Sequence, residues 1–450
     1  MSVAVLDIGK TNVKFVVFDE GGHTLFERQT SNDVIDVPPY PHFDVDRIWS
    51  FLGVSLREAT QKFEIETLVP TTHGASGCIM NDDGLALPIM DYEFKGIESI
   101  SERYNKIRDP FSKTFSPSLT VGLNLGRQIA YAAWNNPTEY DNSTNIITYP
   151  QYWVWRLTGV FASDICSIGT HTDLWLPLEN KPSQLADELG VTKRLVKMIP
   201  PWQVIGQIVP PVAKEWGITS KIKVLCGIHD SNASLLPYLS SRQVPFTLLS
   251  SGTWVIIMAV GHSLETLDST LDMLANIDAY GRPIACANFM GGREYAAIAG
   301  DCTDAPSLKV ISTLINSEIY ALPSFSPGGG PFANRRGEFI GELKPEYRTS
   351  MATLYCALMC VKRLEDLGVH QGDLIVDGNF AQNEILCGLI AALQPDQKLF
   401  AAKDHSGTAR GAAMLASWGK SHAAPETKLI AAARVDGLKD YYAKWKSLIS

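Results

Sequence analysis

The chain has 450 residues, enough for two domains with full cores. Apolar residues make up 45% and charged residues 19%, the balance of a globular protein and not of a disordered one. A net charge of −9 weighs against nucleic acid or an anionic membrane as a main partner, so a polyanion would need a local site, usually with a metal ion.

The N-terminus enters directly as a strand, without a basic-then-apolar leader. No apolar run approaches the ~20 residues of a membrane span. Eight cysteines are scattered without a Cys-x-x-Cys pair, and Cys356 and Cys360 share a helix face with Leu354, Leu358 and Val361, which points to packing and not to metal. Reduced thiols and a cytoplasmic location are expected.

Val3 to Asp19 reads as a β-hairpin: two β-branched runs flank a polar turn of Gly9, Lys10, Thr11 and Asn12, and a third strand follows from His23 to Gln29. The tip offers backbone N–H groups, a hydroxyl and the ammonium groups of Lys10 and Lys14 to an anion. Asp7, closing the first strand, is placed to hold a hydrated divalent cation. Gly-Lys-Thr suggests a P-loop, but the position of that motif's first glycine is Ala4, inside a strand, and a strand rather than a helix follows Thr11. A strand-turn-strand phosphate clamp remains; an ordinary surface hairpin is the bland alternative.

A helix is expected from Asp46 to Lys62, on the spacing of Ile48, Phe51, Leu52 and Leu56. Thr67 to Gly77 is a strand running into a polar turn, where open α/β sheets place ligand contacts. His73 there either meets a substrate hydroxyl or bonds to backbone. Gly159 is the C-cap of a helix ending at Arg156-Leu157-Thr158. Ile222 to Cys226 is a strand, Gly227-Ile228-His229-Asp230 its exit, and Ser231 to Leu239 a helix. The domain boundary is placed here, giving domains 1–225 and 226–450.

Residues 246–260 repeat the opening pattern: a buried strand, a turn of Ser250, Ser251, Gly252 and Thr253, and a second buried strand. Two such hairpins half a chain apart predict a duplicated domain, each copy presenting one phosphate-holding turn to a shared cleft. Asn288 precedes Gly291-Gly292, and Pro327-Gly328-Gly329-Gly330-Pro331 is a cleft loop or linker. A helix from Met351 to Leu367, a strand from Asp373 to Asp377 and a helix from Gln382 to Leu393 follow. His405 to Ala413 opens a small-residue helix that admits a flat group or another helix.

These motifs, in order over nearly the whole chain, resemble the FGGY carbohydrate kinases, part of the wider sugar kinase/actin/heat-shock ATPase fold. Asp7-Ile8-Gly9-Lys10-Thr11 is similar to the family's first phosphate motif, Leu157-Thr158-Gly159 with Asp164 to its Leu-Thr-Gly signature, and Gly227 to Asp230 to the segment with the catalytic Asp. Ser251-Gly252-Thr253 is similar to the second phosphate motif; Gly378-Asn379 with Asn383, and the run Gly407 to Ala413, to the adenosine-binding end. Ser250 to Trp254, His229-Asp230-Ser231 and Asn288 before Gly291-Gly292 lean towards the rhamnulokinase/fuculokinase branch. The Asp-x-Arg often found near the sugar stands here as Asp91-Tyr92-Glu93, and the adenosine glycine run is reduced to Gly378-Asn379.

The resemblance implies an α/β protein of two duplicated RNase H-like domains, of the actin/hexokinase ATPase type, around a central cleft. It implies ATP and Mg2+, with Gly9, Lys10, Thr11, Asn12, Lys14, Ser251, Gly252, Thr253, Asn288, Gly378, Asn379, Asn383 and Gly407 towards ATP. His73, Gly74, Tyr92, Tyr152, His229, Asp230 and Ser231 would line the sugar, Asp7 and Asp230 would hold the metal, and Asp230 would be the catalytic base. The expected partner is a small-molecule sugar, with no nucleic acid and no membrane; a homodimer is left open. The expected reaction is γ-phosphoryl transfer to a ketose such as an L-rhamnulose- or L-fuculose-like deoxyketohexose. Xylulose, erythrulose or a polyol as substrate, and an actin-like ATPase, are the alternatives.

Overall fold

The computed structural model describes residues 2–326, 329–332, 334–403, 407–420 and 424–450. Pro327 and Gly328 of the glycine loop, and His405 and Ser406 ahead of the small-residue helix, lie outside the described residues. Two compact units share the chain: unit 1 is Met1–Ser240, Ala275–Pro283 and Ser406–Ala423; unit 2 is Ser241–Leu274, Ile284–His405 and Ala424–Ser450. Among the described residues no helix is long and apolar enough to cross a membrane.

Unit 1 is built on strands β1 (Ser2–Ile8), β2 (Asn12–Phe18), β3 (Thr24–Ser31), β4 (Ile65–Thr72), β5 (Val204–Gln207), β6 (Lys223–Leu225) and β7 (Ile228–His229). They lie in the order β5-β6-β4-β1-β2-β3, with β7 also pairing β4. β1 is antiparallel to β2 and parallel to β4, so the expected opening hairpin lies within a mixed sheet, with β3 at the edge beyond β2. The predicted helix after it runs Val45–Thr60, capped by the Asp44 carboxylate, which accepts the Arg47 N–H.

Alternation along β1 decides what lies where. Ala4, Leu6 and Ile8 point to one face, packed with Ile48, Leu52 and Leu56 of that helix. Val5 points to the other, against Ala233 and Leu236 of the helix Asp230–Leu239 and Ala409 and Ala412 of the helix Gly407–Met414. Both faces of the strand are covered, which is why it reads as a continuous apolar run and not as alternation. Asp7 follows Val5 by one period and shares its face.

The same packing explains where the units divide. The sequence-based division lay between residues 225 and 226, whereas unit 1 runs on to Ser240, because the helix Asp230–Leu239 contributes Ala233 and Leu236 to the core against β1 and β4. The small-residue helix returns to unit 1 for a related reason. A Cβ on Gly411 would lie 1.8 Å from the Ala233 carbonyl oxygen and 3.2 Å from Pro237 Cδ, so only glycine lets the two helices approach this closely. Gly411→Val is expected to cost at least ~2 kcal/mol, lowering the melting temperature by roughly 4 °C or more. Scanning calorimetry checks this; an unchanged transition would contradict the packing.

Unit 2 carries β8 (Phe246–Ser251), β9 (Val255–Val260), β10 (Pro283–Phe289), β11 (Asp373–Gly378), β12 (Leu399–Ala402) and β13 (Thr427–Leu429). Its sheet includes these in the order β10-β9-β8-β11-β12-β13. β8 is antiparallel to β9 and parallel to β11, as β1 is to β2 and β4. A third strand joins the outer side of each hairpin antiparallel. The strand plan is thus repeated, as the paired hairpins predicted. Cys356 and Cys360 are buried in the helix Arg348–Asp366 of this unit.

Candidate active site

The strongest cluster of chemistry in unit 1 stands where β1, β4 and β7 end. Asp7 lies opposite Lys14 on β2 and Thr71 on β4. Asp230 is the first residue of the helix that covers Val5's face, so the alternation that buries Val5 also turns the Asp7 carboxylate towards Asp230. Burial pushes the Asp7 carboxyl up to about 7; the Asp230 charge adds to this and Lys14 opposes it. Asp230 is pushed up to about 6, again mainly by burial, while the Ser231 N–H and hydroxyl draw it back. Its Oδ1 accepts from the Ser231 N–H at 2.6 Å and from Ser231 Oγ at 3.3 Å. The residue at the helix N-cap is His229, whose side chain makes no capping bond to the backbone.

The imidazole of His229 has a defined polarity. Asn232 Nδ2 donates to the Ile277 carbonyl at 2.6 Å, which leaves Asn232 Oδ1 to accept from His229 Nδ1–H at 2.9 Å. The Nε2 of the neutral ring is therefore a bare acceptor, 3.3 Å from Asp230 Oδ1. Burial holds the ring's pKa below its ordinary value. Gly74 makes room for it: a Cβ there would lie 2.5 Å from His229 Nε2.

His73 continues the cluster, its backbone N–H tied to the Ile8 carbonyl at 2.8 Å. Its Nδ1 bonds the Gly74 carbonyl at 2.8 Å, and burial holds its pKa down to about 4. Of the two roles weighed for it, the bond to backbone is present at one ring nitrogen, while Nε2 is buried with no partner among the described residues. Tyr92 packs edge-on to this ring at 5.4 Å.

The first turn is tighter than its sequence suggests. Gly9 N–H donates to the Asn12 carbonyl at 2.9 Å, and Asn32 clamps it from outside, donating Nδ2 to the Gly9 carbonyl at 2.8 Å and its N–H to the Thr11 carbonyl at 2.9 Å. Thr11 and Asn12 are exposed, joined by a side-chain bond of 3.0 Å. Lys10, expected at a phosphate, has its ammonium paired with Asp91 and, at 3.6 Å, Glu93. Gly407 begins the helix Gly407–Met414 of this same unit.

Unit 2 presents the matching turn between β8 and β9. Gly252 N–H donates to the Trp254 carbonyl at 2.8 Å, and Gly252 and Thr253 are exposed. Ser251, expected to offer its hydroxyl to a ligand, is instead buried, donating to the Asp377 carbonyl and accepting from the Phe380 N–H. It fastens β8 to the end of β11, where Gly378 and Asn379 lie. Asn383 caps the helix Glu384–Leu393, accepting the Leu386 N–H at 3.0 Å, and donates to Thr353 at 2.9 Å. Asn288 Oδ1 is buried with no partner among the described residues, an acceptor available to a ligand.

Tyr152 is not brought to the cluster. It is 4% exposed in the core of unit 1, stacked on Trp155, its hydroxyl accepting from Arg156 at 3.2 Å. The sequence reading missed Asn32 and Asn232; an asparagine in a polar loop and one in a helix carry no signal until their carbonyl partners are known.

Comparison with known proteins bears on the whole chain. The N-terminal domain profile of the FGGY family of carbohydrate kinases matches residues 2–237, and the FGGY carbohydrate kinase C-terminal domain profile matches residues 243–425. A crystal structure of a carbohydrate kinase from Novosphingobium aromaticivorans is similar over 99% of this chain and 100% of that one, with a TM-score of 0.90 and 30% identity. A ligand-bound xylulose kinase from Lactobacillus acidophilus has a TM-score of 0.80 over 99% of this chain and 96% of that one; at 17% identity this shows the fold alone. An L-fuculokinase from Salmonella typhi is 23% identical over 273 residues, a match spanning 59% of this chain and 57% of that enzyme.

Proposed function

The chain belongs to the FGGY family of carbohydrate kinases, with that family's two-domain, actin/hexokinase-like ATPase fold, and from that premise we propose that it transfers the γ-phosphoryl group of ATP to a hydroxyl of a ketose. Asp230 is the base. The observation that carries this reading is the half-buried carboxylate pair of Asp7 and Asp230, with His229 Nε2 3.3 Å from Asp230 Oδ1.

Phosphoryl transfer asks a protein for positioning, charge neutralisation and an acceptor for the hydroxyl proton. A base with a pKa near 6 is ionised at neutral pH yet holds a proton far better than an ordinary carboxylate, close to the best compromise for proton transfer. When Asp230 takes the proton, its new O–H faces the bare Nε2 of His229 and donates to it. Asn232 keeps that nitrogen bare, and Ser231 fixes the carboxylate's orientation. The turns at Gly9–Asn12 and Gly252–Thr253 offer N–H groups and hydroxyls to phosphate oxygens, and Lys14 adds positive charge beside Asp7. Asn288 Oδ1 and the segment Gly378–Asn379 are assigned to the nucleotide.

The donor chemistry around Asp7 fits Mg2+. Two half-buried carboxylates, the charge of Asp230 raising the proton affinity of Asp7, are hard oxygen ligands for a divalent cation, and Mg2+ takes one or two carboxylates together with water and substrate phosphates. No larger group of His, Cys, Asp or Glu suited to a metal occurs among the described residues. When bound there, the ion supplies charge neutralisation to the phosphates. The part-length likeness to an L-fuculokinase makes a deoxyketohexose the first substrate to test.

Coupled ADP release with Mg2+ and a panel of ketoses and polyols tests the reading. Turnover is expected only with an acceptor; rapid ATP turnover unaffected by any sugar would favour an actin-like ATPase. The same assay carries a pH prediction. A base must be deprotonated to work, so kcat/KM should rise with pH through about 6, the limb broadened towards about 7 by coupling to Asp7. A profile flat from pH ~5 to ~8 would remove Asp230 from that role.

A further inference from the structure

Lys10 lies in the turn that sequence reasoning gives to phosphate, but its surroundings are those of His73. Its ammonium is paired with Asp91 and Glu93 and lies 5.1 Å from the ring centre of Phe43 and 5.0 Å from that of Tyr92. Those two rings also flank His73, at 5.1 and 5.4 Å. Lys10, Asp91, Tyr92 and His73 thus form one group, continuous through Gly74 with His229 and Asp230.

What this group lacks identifies what it would bind. The Gly74 carbonyl can only accept, so His73 Nδ1 carries the proton and Nε2 is a lone pair; it is 7% exposed as a residue, with that atom buried and without a partner among the described residues. Such an atom needs a donor. A hydroxyl supplies one and can accept from an ammonium at the same time, whereas a carboxylate or phosphate at neutral pH only accepts. Charge points the same way: one ammonium against two carboxylates leaves the group net negative, which opposes an anionic ligand.

We propose that Lys10, held by Asp91 and Glu93, works with His73 as an acceptor-side subsite for the hydroxyls of an uncharged sugar or polyol, and takes no part in holding the nucleotide. This rests on the kinase reading above. It makes Lys10 a specificity residue, and it makes aldonates and other acidic sugars poor substrates.

Two readouts separate the proposal from its rivals. Calorimetry with Mg2+ and a non-hydrolysable ATP analogue should give Lys10→Met a Kd within about twofold of the native chain, while its KM for the best neutral acceptor rises at least ~10-fold. Lys10→Arg keeps a cation between the carboxylates, guards against a folding defect, and should show the same split more weakly. The native chain should favour D-xylulose or a deoxyketohexose over D-gluconate by at least ~100-fold in kcat/KM, and Glu93→Gln should narrow that ratio. Weakened nucleotide binding with an unchanged acceptor KM would make Lys10 a phosphate ligand and overturn the proposal. Equal use of D-gluconate by the native chain would overturn it on charge. A native chain that binds the analogue but phosphorylates no acceptor would fail the kinase reading itself, and the proposal with it.

Discussion

Asp230→Asn is expected to turn over at least ~100-fold more slowly than the native chain, the lower end of what losing a general base costs. Asparagine keeps the shape of the side chain, and its carbonyl oxygen can still accept the Ser231 N–H that Asp230 Oδ1 accepts at 2.6 Å. It cannot take a proton. As a local helix-end contact the exchange should cost a few tenths of a kcal/mol, so the melting temperature should stay within ~2 °C. Nucleotide affinity should be retained. A variant of near-normal rate would leave Asp230 as a helix-start residue and send the search for the base elsewhere. A variant that has lost both activity and thermal stability would say that the carboxylate's role is architectural.

Gly74→Ala tests the other half of the site, the placement of His229. The added methyl would lie 2.5 Å from Nε2, so the ring must withdraw by about 1 Å to reach ordinary contact. The imidazole is buried and tethered through Asn232 to the Ile277 carbonyl, and so cannot swing aside without breaking that chain of bonds. A displacement of this size at a reacting centre costs on the order of 100-fold in rate. The loss should fall on kcat, with the KM for ATP little changed. An alanine variant with native kcat would show that His229 need not stand against Asp230.

These expectations also mark what a sequence can and cannot reveal. The hairpins were legible because a polar turn between two buried strands is a local pattern, and the repeat of strand-turn-strand at residues 246–260 announced the duplication. The end of unit 1 was not, because the helix Asp230–Leu239 belongs there only by virtue of packing Ala233 and Leu236 against β1 and β4. Lys10 was read as a free cation because its partner Asp91 lies 81 residues away. Ser251 was read as a ligand hydroxyl because the carbonyl that accepts its hydrogen bond, that of Asp377, is 126 residues distant. Tyr152 stands in a helix rich in aromatic residues, where nothing local says which ring faces the core. Asp7 and Asp230 could be singled out because each closes or follows a strand, at the strand ends where open α/β sheets place ligand contacts. The geometry added the reason they meet: Asp7 shares Val5's face, and the helix covering that face begins with Asp230.

The central claim is that this pair of carboxylates serves transfer to a sugar and not to water. The most direct measurement follows the label of [γ-32P]ATP in the presence of Mg2+ and a neutral ketose. The account predicts label in a sugar phosphate ester, formed in step with ADP and abolished in Asp230→Asn. Label released as inorganic phosphate, at a rate indifferent to the sugar, would contradict it.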